Sequence, residues 1–427
     1  MGSTAKLPQA FWIFWSALTA TNVSDGIRLV AFPLLATSLT QNPTLIALVT
    51  VFTYLPALLF GQIAGVIVDR VPKRPLIVAS HIARAVILMV VAVVVAIGIL
   101  DIAMLCVAAF LYGVGEAASD PAAHAMLPEI VSASDLSRAN SDLQSGQIIG
   151  EMFIGRARGG ILFAVAQPLP VAVNTLLLVA AAAAMLSLGK EQTPPAEKEG
   201  DHAAKPAARR IRDFRNDLVD GIRVVTQSRL LGAMSLLVTV WAGVSGAFWG
   251  VAAIFALRDL ESGEVGFGIL LALAAVGSLV GARIAIPVIR AFGAPGVAVT
   301  AVLVSAVSII ALSGTHELWL ASLLLAANGA AVTLWNVMTI TIRQVAVEPN
   351  MLGRVSSTYL VLARMSLPVG AGLAGALASA TDVPTVFIVF GSLLVLASTV
   401  LLPLLWRELG RIWPRGQTSA KQAGSGI

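Results

Sequence analysis

Three carboxylates, Asp25, Glu116 and Glu151, each interrupt a long apolar run, and Arg28 follows Asp25 by one helical turn. Asp120 shares a helix face with Glu116. Charges at such positions are costly, so they face protein or water and mark pathways for ions or protons. Burial favours the protonated acid, and a nearby cation favours the ionised form. A carboxyl that alternates between those settings carries a proton. Asp25 with Arg28, then Glu116, then Glu151 are the proton-coupling candidates. Asp25 and Arg28 can neutralise each other along one face. Arg84 and Arg364 are read as structural partners of such acids.

A second cluster lies in a loop, Gly61-Gln-Ile-Ala-Gly65-Val-Ile-Val-Asp69-Arg70-Val-Pro-Lys73-Arg74. Gly61 and Gly65 form a small-xxx-small pair that lets a helix approach closely. Asp69 can cap a neighbouring helix at its positive end. Arg70 can pair with a carboxylate at an adjacent helix end, with Lys73 and Arg74 beside it. A third cluster is Gly155-Arg156-Ala157-Arg158-Gly159-Gly160. Its glycines imply tight packing, expected against a later helix that offers Gly266, Gly268 and Gly277. Arg156 and Arg158 point to nearly opposite sides, and at least one is expected in that seam, hindering its closure. Pocket candidates are Tyr54, Tyr112, Asn174, Trp241, Phe248, Trp249, Asn328, Trp335 and Asn336. Aromatics with a few amides suit a drug-sized amphiphile.

The elements that must position these residues are membrane helices. Of 427 residues 57% are hydrophobic and 12% charged, with mean hydropathy +0.88. A soluble domain carries roughly 25% charged residues, so a soluble globule is excluded. About 20 apolar residues span a bilayer, and the pattern predicts twelve spans. They lie at 10–37, 43–68, 75–99, 101–126, 138–165, 169–189, 230–257, 264–290, 294–314, 317–344, 354–380 and 384–406. The fold class is an all-α membrane protein of two six-helix bundles, 1–189 and 230–427, the second with a tail. The linker 190–229 joins them. Within it Ile211, Phe214, Leu218, Ile222 and Val225 recur at helical spacing among arginines, as in an amphipathic helix on a membrane surface.

The net charge of +5 is explained by sidedness rather than by nucleic acid. Lys6, Arg70, Lys73, Arg74, Arg138, Arg290, Arg343, Arg354 and Arg407 fall on one side, and only Arg258 on the other. The positive-inside bias places both termini in the cytoplasm of an inner, plasma-membrane protein. Cys106 is a lone cysteine in an apolar run, without a disulfide partner. The sequence has no phosphate-binding loop, metal-ligand cluster or nucleophile motif. No cofactor, metal, nucleic acid or enzymatic activity is expected. A monomer working among lipids is.

With these residues in place, the chain resembles the major facilitator superfamily. The carriers are Gly65-x-x-x-Asp69-Arg70-x-x-Lys73-Arg74, Ser24-Asp25-Gly26, Leu55-Pro56, Gly113-x-Gly115-Glu116, Asp120-Pro121-Ala122 and Arg138-Ala139-Asn140. The drug:proton antiporter branch that includes macrolide and siderophore exporters is similar. Its usual span-five Gly-Pro pattern is absent here. The resemblance implies alternating access, with the Asp69–Arg74 loop latching the outward-facing state. It implies export of amphiphilic compounds in exchange for protons. The alternatives are a lipid or lysophospholipid flippase and, further off, a membrane-embedded lipid-modifying enzyme.

Overall fold

The computed structural model describes residues 7–68, 71–188 and 219–412. Asp69, Arg70 and the 211–218 part of the amphipathic segment lie outside them. The described residues are helical throughout, with turns between. The first helices are α1 (Gln9–Leu39), α2 (Pro43–Val68), α3 (Lys73–Ala96) and α4 (Ile102–Ile130). A broken rod follows: α5 (Leu136–Gln147), a π-helical stretch Ile148–Gly155, and α6 (Arg156–Val165). Then come α7 (Leu169–Ser187), α8 (219–227), α9 (Arg229–Ile254) with a π-helical end Phe255–Asp259, and α10 (Gly263–Leu312). The last three are α11 (Leu318–Ala346), α12 (Pro349–Ala380) and α13 (Val383–Ile412).

Among the described residues, nine stretches are long and apolar enough to cross a membrane. One of them, α10, turns at Gly293, whose φ of 71° suits a residue without a Cβ. That turn makes α10 two spans. With α1 and the broken α5–α6 rod the described residues supply the twelve spans that hydropathy predicts. Pro43, Lys73 and Leu169 begin their helices where the sequence turns apolar after a polar or proline-containing turn. Asp101 caps α4 by accepting from the Met104 amide at 2.7 Å, which satisfies a free donor of the first turn.

The chain forms two compact units. The first is residues 1–211 together with 262–272; the second is 212–261 with 273–427. In the first, α1 runs along the α5–α6 rod and α7, α2 lies on α4, and α3 on α4 and α7. Phe11, Phe14, Ile77, Leu127 and Met185 fill the core at one end. The stretch 262–272 joins this unit because small residues let it approach. A Cβ on Gly268 would stand 3.3 Å from the Arg156 and Ala157 carbonyl oxygens, and Gly160 meets the backbone of Glu264. The expected glycine seam therefore forms with Gly268. Gly277 instead packs on Ala326 of α11, with Gly281 on Ala330.

In the second unit α9 lies along α12 and α13. Gly246 and Gly250 of α9 meet the backbone at Leu367 and Ala371 of α12. The described part of the amphipathic segment docks one face on protein. Val225 is buried with Leu231, Val347 and Val355, and Gly221 sits on the Arg354 carbonyl. Ile222 stays exposed.

Candidate functional site

The candidate centre is a chain of ion-paired charges in the first unit. Asp25 accepts from Arg84 Nη2 and from the Tyr112 hydroxyl, the latter at 2.7 Å. Arg84 Nη2 also donates to that hydroxyl at 2.5 Å. Arg28 reaches from α1 to Glu116 on α4 at 2.9 Å. The two guanidinium groups both lie on the Tyr112 ring, Arg84 at 4.2 Å and Arg28 at 4.5 Å from its centroid. Such cation–π contacts strengthen where water is excluded, and Tyr112 and Arg84 are fully buried. One ring thus joins two ion pairs on three helices. Asp25 and Arg28 do not pair with each other, contrary to the sequence expectation. Each has a better-placed partner across the bundle.

The third pair is Glu151–Arg156, at 3.0 Å. It is a product of the π-helix. A π-helix bonds residue i to i+5, and here the Arg156 amide donates to the Glu151 carbonyl while the side chains pair above it. The extra residue has a packing reason. Gly146, Gly150, Gly155 and Gly159 all face α1, meeting Trp15 and Thr19, the Thr19 carbonyl, Gly26, and Val30 in turn. Their spacing is four, five, four. In a regular helix the middle step would turn Gly155 away from α1, and one residue of π-helix brings it back. Gly155 would carry a Cβ 2.7 Å from Gly26 Cα, so neither helix tolerates a side chain there.

Small residues also seat the arginine and the proline of the motifs. A Cβ on Gly115 would lie 2.8 Å from Arg84 Cγ, and one on Gly113 would lie 2.8 Å from Pro56 Cγ. Ser80 Oγ donates to the Gly115 carbonyl at 2.6 Å. His81 is buried beside Thr21, 3.3 Å from its hydroxyl.

The gating candidates divide differently from expectation. Asp69 and Arg70 lie outside the described residues, and Gly65 lies in α2. Lys73 pairs with Glu129 at the end of α4, and Arg74 donates to the Met185 carbonyl at 2.8 Å and to that of Leu186. Both therefore clamp helices of their own bundle. The reason is local: α7 ends beside α3 with bare carbonyls, and a cation satisfies them. Arg156 and Arg158 do not wedge the Gly160–Gly268 seam. Arg156 turns inward to Glu151 and Arg158 is exposed, while bare backbone occupies the contact.

The pocket candidates are largely packing residues. Tyr112 belongs to the charge cluster, and Asn174 is fully buried on α7. Trp241 and Trp335 are buried against each other with ring centroids 5.5 Å apart. Phe248 is buried, stacked on Phe387 at 6.3 Å and touching Trp249 at 5.6 Å. Asn328 accepts from Ser305 at 2.6 Å. Tyr54 and Trp249 are half-buried, and Asn336 alone of the nine is exposed. Asp120 is exposed one turn beyond Glu116. What the sequence reading missed is the π-helix, and the uneven glycine spacing was its signal.

Twelve apolar helices with ion pairs deep inside them define a multi-pass membrane transporter of the major facilitator fold. The chain belongs to the family described as transmembrane secretion effector, whose model matches residues 3–411. It is similar to an uncharacterized MFS-type transporter y4rN of Sinorhizobium fredii, 24% identical over 94% of this chain and 96% of that protein. It is also similar to macrolide efflux protein A of Streptococcus pyogenes, 21% identical over 91% of this chain and 94% of that one. Among solved structures it resembles the nucleoside transporter NupG (TM-score 0.76, 11% identity, 93% of this chain and 100% of that one). It likewise resembles a bacterial homologue of the human lysosomal transporter Spinster (TM-score 0.73, 16% identity, 96% and 99%). At these identities the structures establish the fold alone.

Proposed function

We propose that the protein is a secondary transporter of the inner membrane, with both termini cytoplasmic, that exports amphiphilic compounds in exchange for protons by alternating access. The observation that carries this reading is the linked pair of ion pairs, Asp25–Arg84 and Glu116–Arg28, joined through Tyr112. An acid that takes a proton releases its arginine, and the freed cation must find another partner or water. That exchange is a means of tying protonation to helix movement. Similarity to a macrolide efflux protein supports an amphiphilic cargo. The reading is tested in inverted vesicles loaded with a proton-sensitive dye, with macrolides and lipophilic cations as cargo. Transport should collapse with the pH gradient and with Asp25→Asn. Transport indifferent to both would remove the antiport mechanism.

A further inference from the structure

The arginines of the first unit's centre, Arg28, Arg84 and Arg156, are each buried and ion-paired. One mid-span arginine of the second unit is neither buried nor ion-paired among the described residues. Arg364 stands fifteen residues from Pro349 and sixteen from Ala380 in α12, so at ~1.5 Å per residue it is about 22–24 Å from either end. Its side chain is exposed, and no carboxylate or hydrogen-bond acceptor reaches it among the described residues. The described acids of this unit lie at helix ends or in turns, Asp259, Glu317, Glu348 and Asp382 among them. The expectation that Arg364 is the partner of a buried acid fails.

A cation at that depth is stable against water or a counter-ion, and unstable against hydrocarbon. Met365, Val369 and Leu373 of α12 recur every four residues and form an exposed apolar stripe of the kind that suits lipid. Arg364 is turned about 100° from Met365. It lies on a different flank, with the half-buried Ser357 seven residues before it and the buried Pro368 four after. Further along, α9 covers Leu367 and Ala371, three and seven residues beyond Arg364 and so on its own side of the helix. One turn before Arg364 on its own flank is Leu360, an apolar side chain left 47% exposed. An unpaired guanidinium beside an uncovered leucine, away from the lipid stripe, is complementary to a molecule with an anionic end and an apolar body.

We propose that Arg364 is an anion-binding residue of the substrate site, and that the cargo class includes amphiphiles bearing a carboxylate or a phosphate. This deepens the export reading, and rests on it only for the ligand's passage, since binding is measured apart from transport. The anion is either that of a solute or that of a lipid headgroup.

The full chain, purified into phosphatidylcholine nanodiscs, is titrated by its tryptophan fluorescence with two matched pairs. Decanoate against decanamide represents a solute, and lysophosphatidate against monoacylglycerol represents a lipid. In at least one pair the anion should bind about tenfold or more tightly than its neutral partner, and that pair names the source. Arg364→Gln should abolish the preference, and Arg364→Lys should keep a part of it. Leu360→Glu, which supplies an internal counter-ion one turn away, should abolish it with the arginine still present. This variant serves if Arg364→Gln does not fold. Equal binding within both pairs by the unaltered protein, or a preference that survives Arg364→Gln or Leu360→Glu, overturns the proposal. Anion binding without any pH-driven transport would remove the export reading alone. Proton-driven export with no anion preference would remove this inference alone.

Discussion

Asp25 and Arg28 stand one turn apart on α1 and do not pair: Asp25 is held by Arg84 of α3 and Arg28 by Glu116 of α4. The exchange turns a local contact within one helix into two bonds that fasten three helices. Breaking a buried pair by removing one partner typically costs about 3–5 kcal/mol, because the other charge is left uncompensated. Arg84→Leu is therefore expected to lower the thermal midpoint of the detergent-solubilised protein sharply. Asp25→Asn in the same chain should restore part of the loss. The check is the double-mutant cycle by thermal unfolding. If the two substitutions simply add, the pair is not the fastening it looks to be.

The Tyr112 ring separates this pair from the next, and its hydroxyl and its face do different work. Tyr112→Phe removes the bonds to Asp25 and Arg84 but keeps the surface on which both guanidinium groups rest. Loss of hydrogen bonds to charged groups should cost about 1.5–3 kcal/mol. Tyr112→Leu removes the ring as well and should cost more, by about 0.5–2 kcal/mol for each cation–π contact. Thermal unfolding of the two variants should rank unaltered protein, Phe, then Leu. Equal midpoints for Phe and Leu would mean that the ring contributes nothing as a platform.

The π-helix of the α5–α6 rod gives a prediction about chain length. Gly146, Gly150, Gly155 and Gly159 stay on the α1 face only because one extra residue is accommodated between the second and third. Deleting Met152, a half-buried residue within the π-helical stretch, converts the spacing to four, four, four. A regular helix keeps that spacing on one face, so the deletion variant should fold and express near the unaltered level. Inserting one alanine at the same place should not be tolerated, and neither should Gly155→Val, whose side chain has no room beside Gly26. Size-exclusion profiles of the fluorescently tagged protein read all three. A deletion variant that aggregates like the insertion would show that the extra residue is needed for something other than glycine register.

How far this was legible in the sequence depended on the range of the interaction. Hydropathy alone placed the spans, because each span satisfies its own backbone and needs no partner to be recognised. The acids were equally visible, since a charge in an apolar run stands out. Their partners were not. Helical spacing favoured Arg28 for Asp25, and only the packing of α3 and α4 on α1 brings Arg84 and Glu116 within reach. Trp241, Phe248 and Trp335 read as pocket residues because aromatics serve binding and packing alike, and burial decides between them. Lys73 and Arg74 read as a latch, and the ends of α4 and α7 that claim them are more than 50 and 110 residues away in the chain.

Those two basic residues differ in kind, which the last prediction uses. Lys73 and Glu129 are both partly exposed at the bundle's end, and exposed pairs contribute about 0–1 kcal/mol. Arg74 holds two carbonyls at the end of α7 through two nitrogens. Those acceptors have no helical partner of their own, and hydrogen bonds to a charged donor contribute about 1.5–3 kcal/mol. Lys73→Ala should leave the thermal midpoint nearly unchanged, and Arg74→Ala should lower it and loosen α7. Amide exchange across 181–188 is the direct measurement. Protection there should fall in Arg74→Ala and persist in Lys73→Ala. Equal protection in both variants would mean that the end of α7 is held by its core contacts, Met185 and Leu188 foremost, and that the arginine is free for another task.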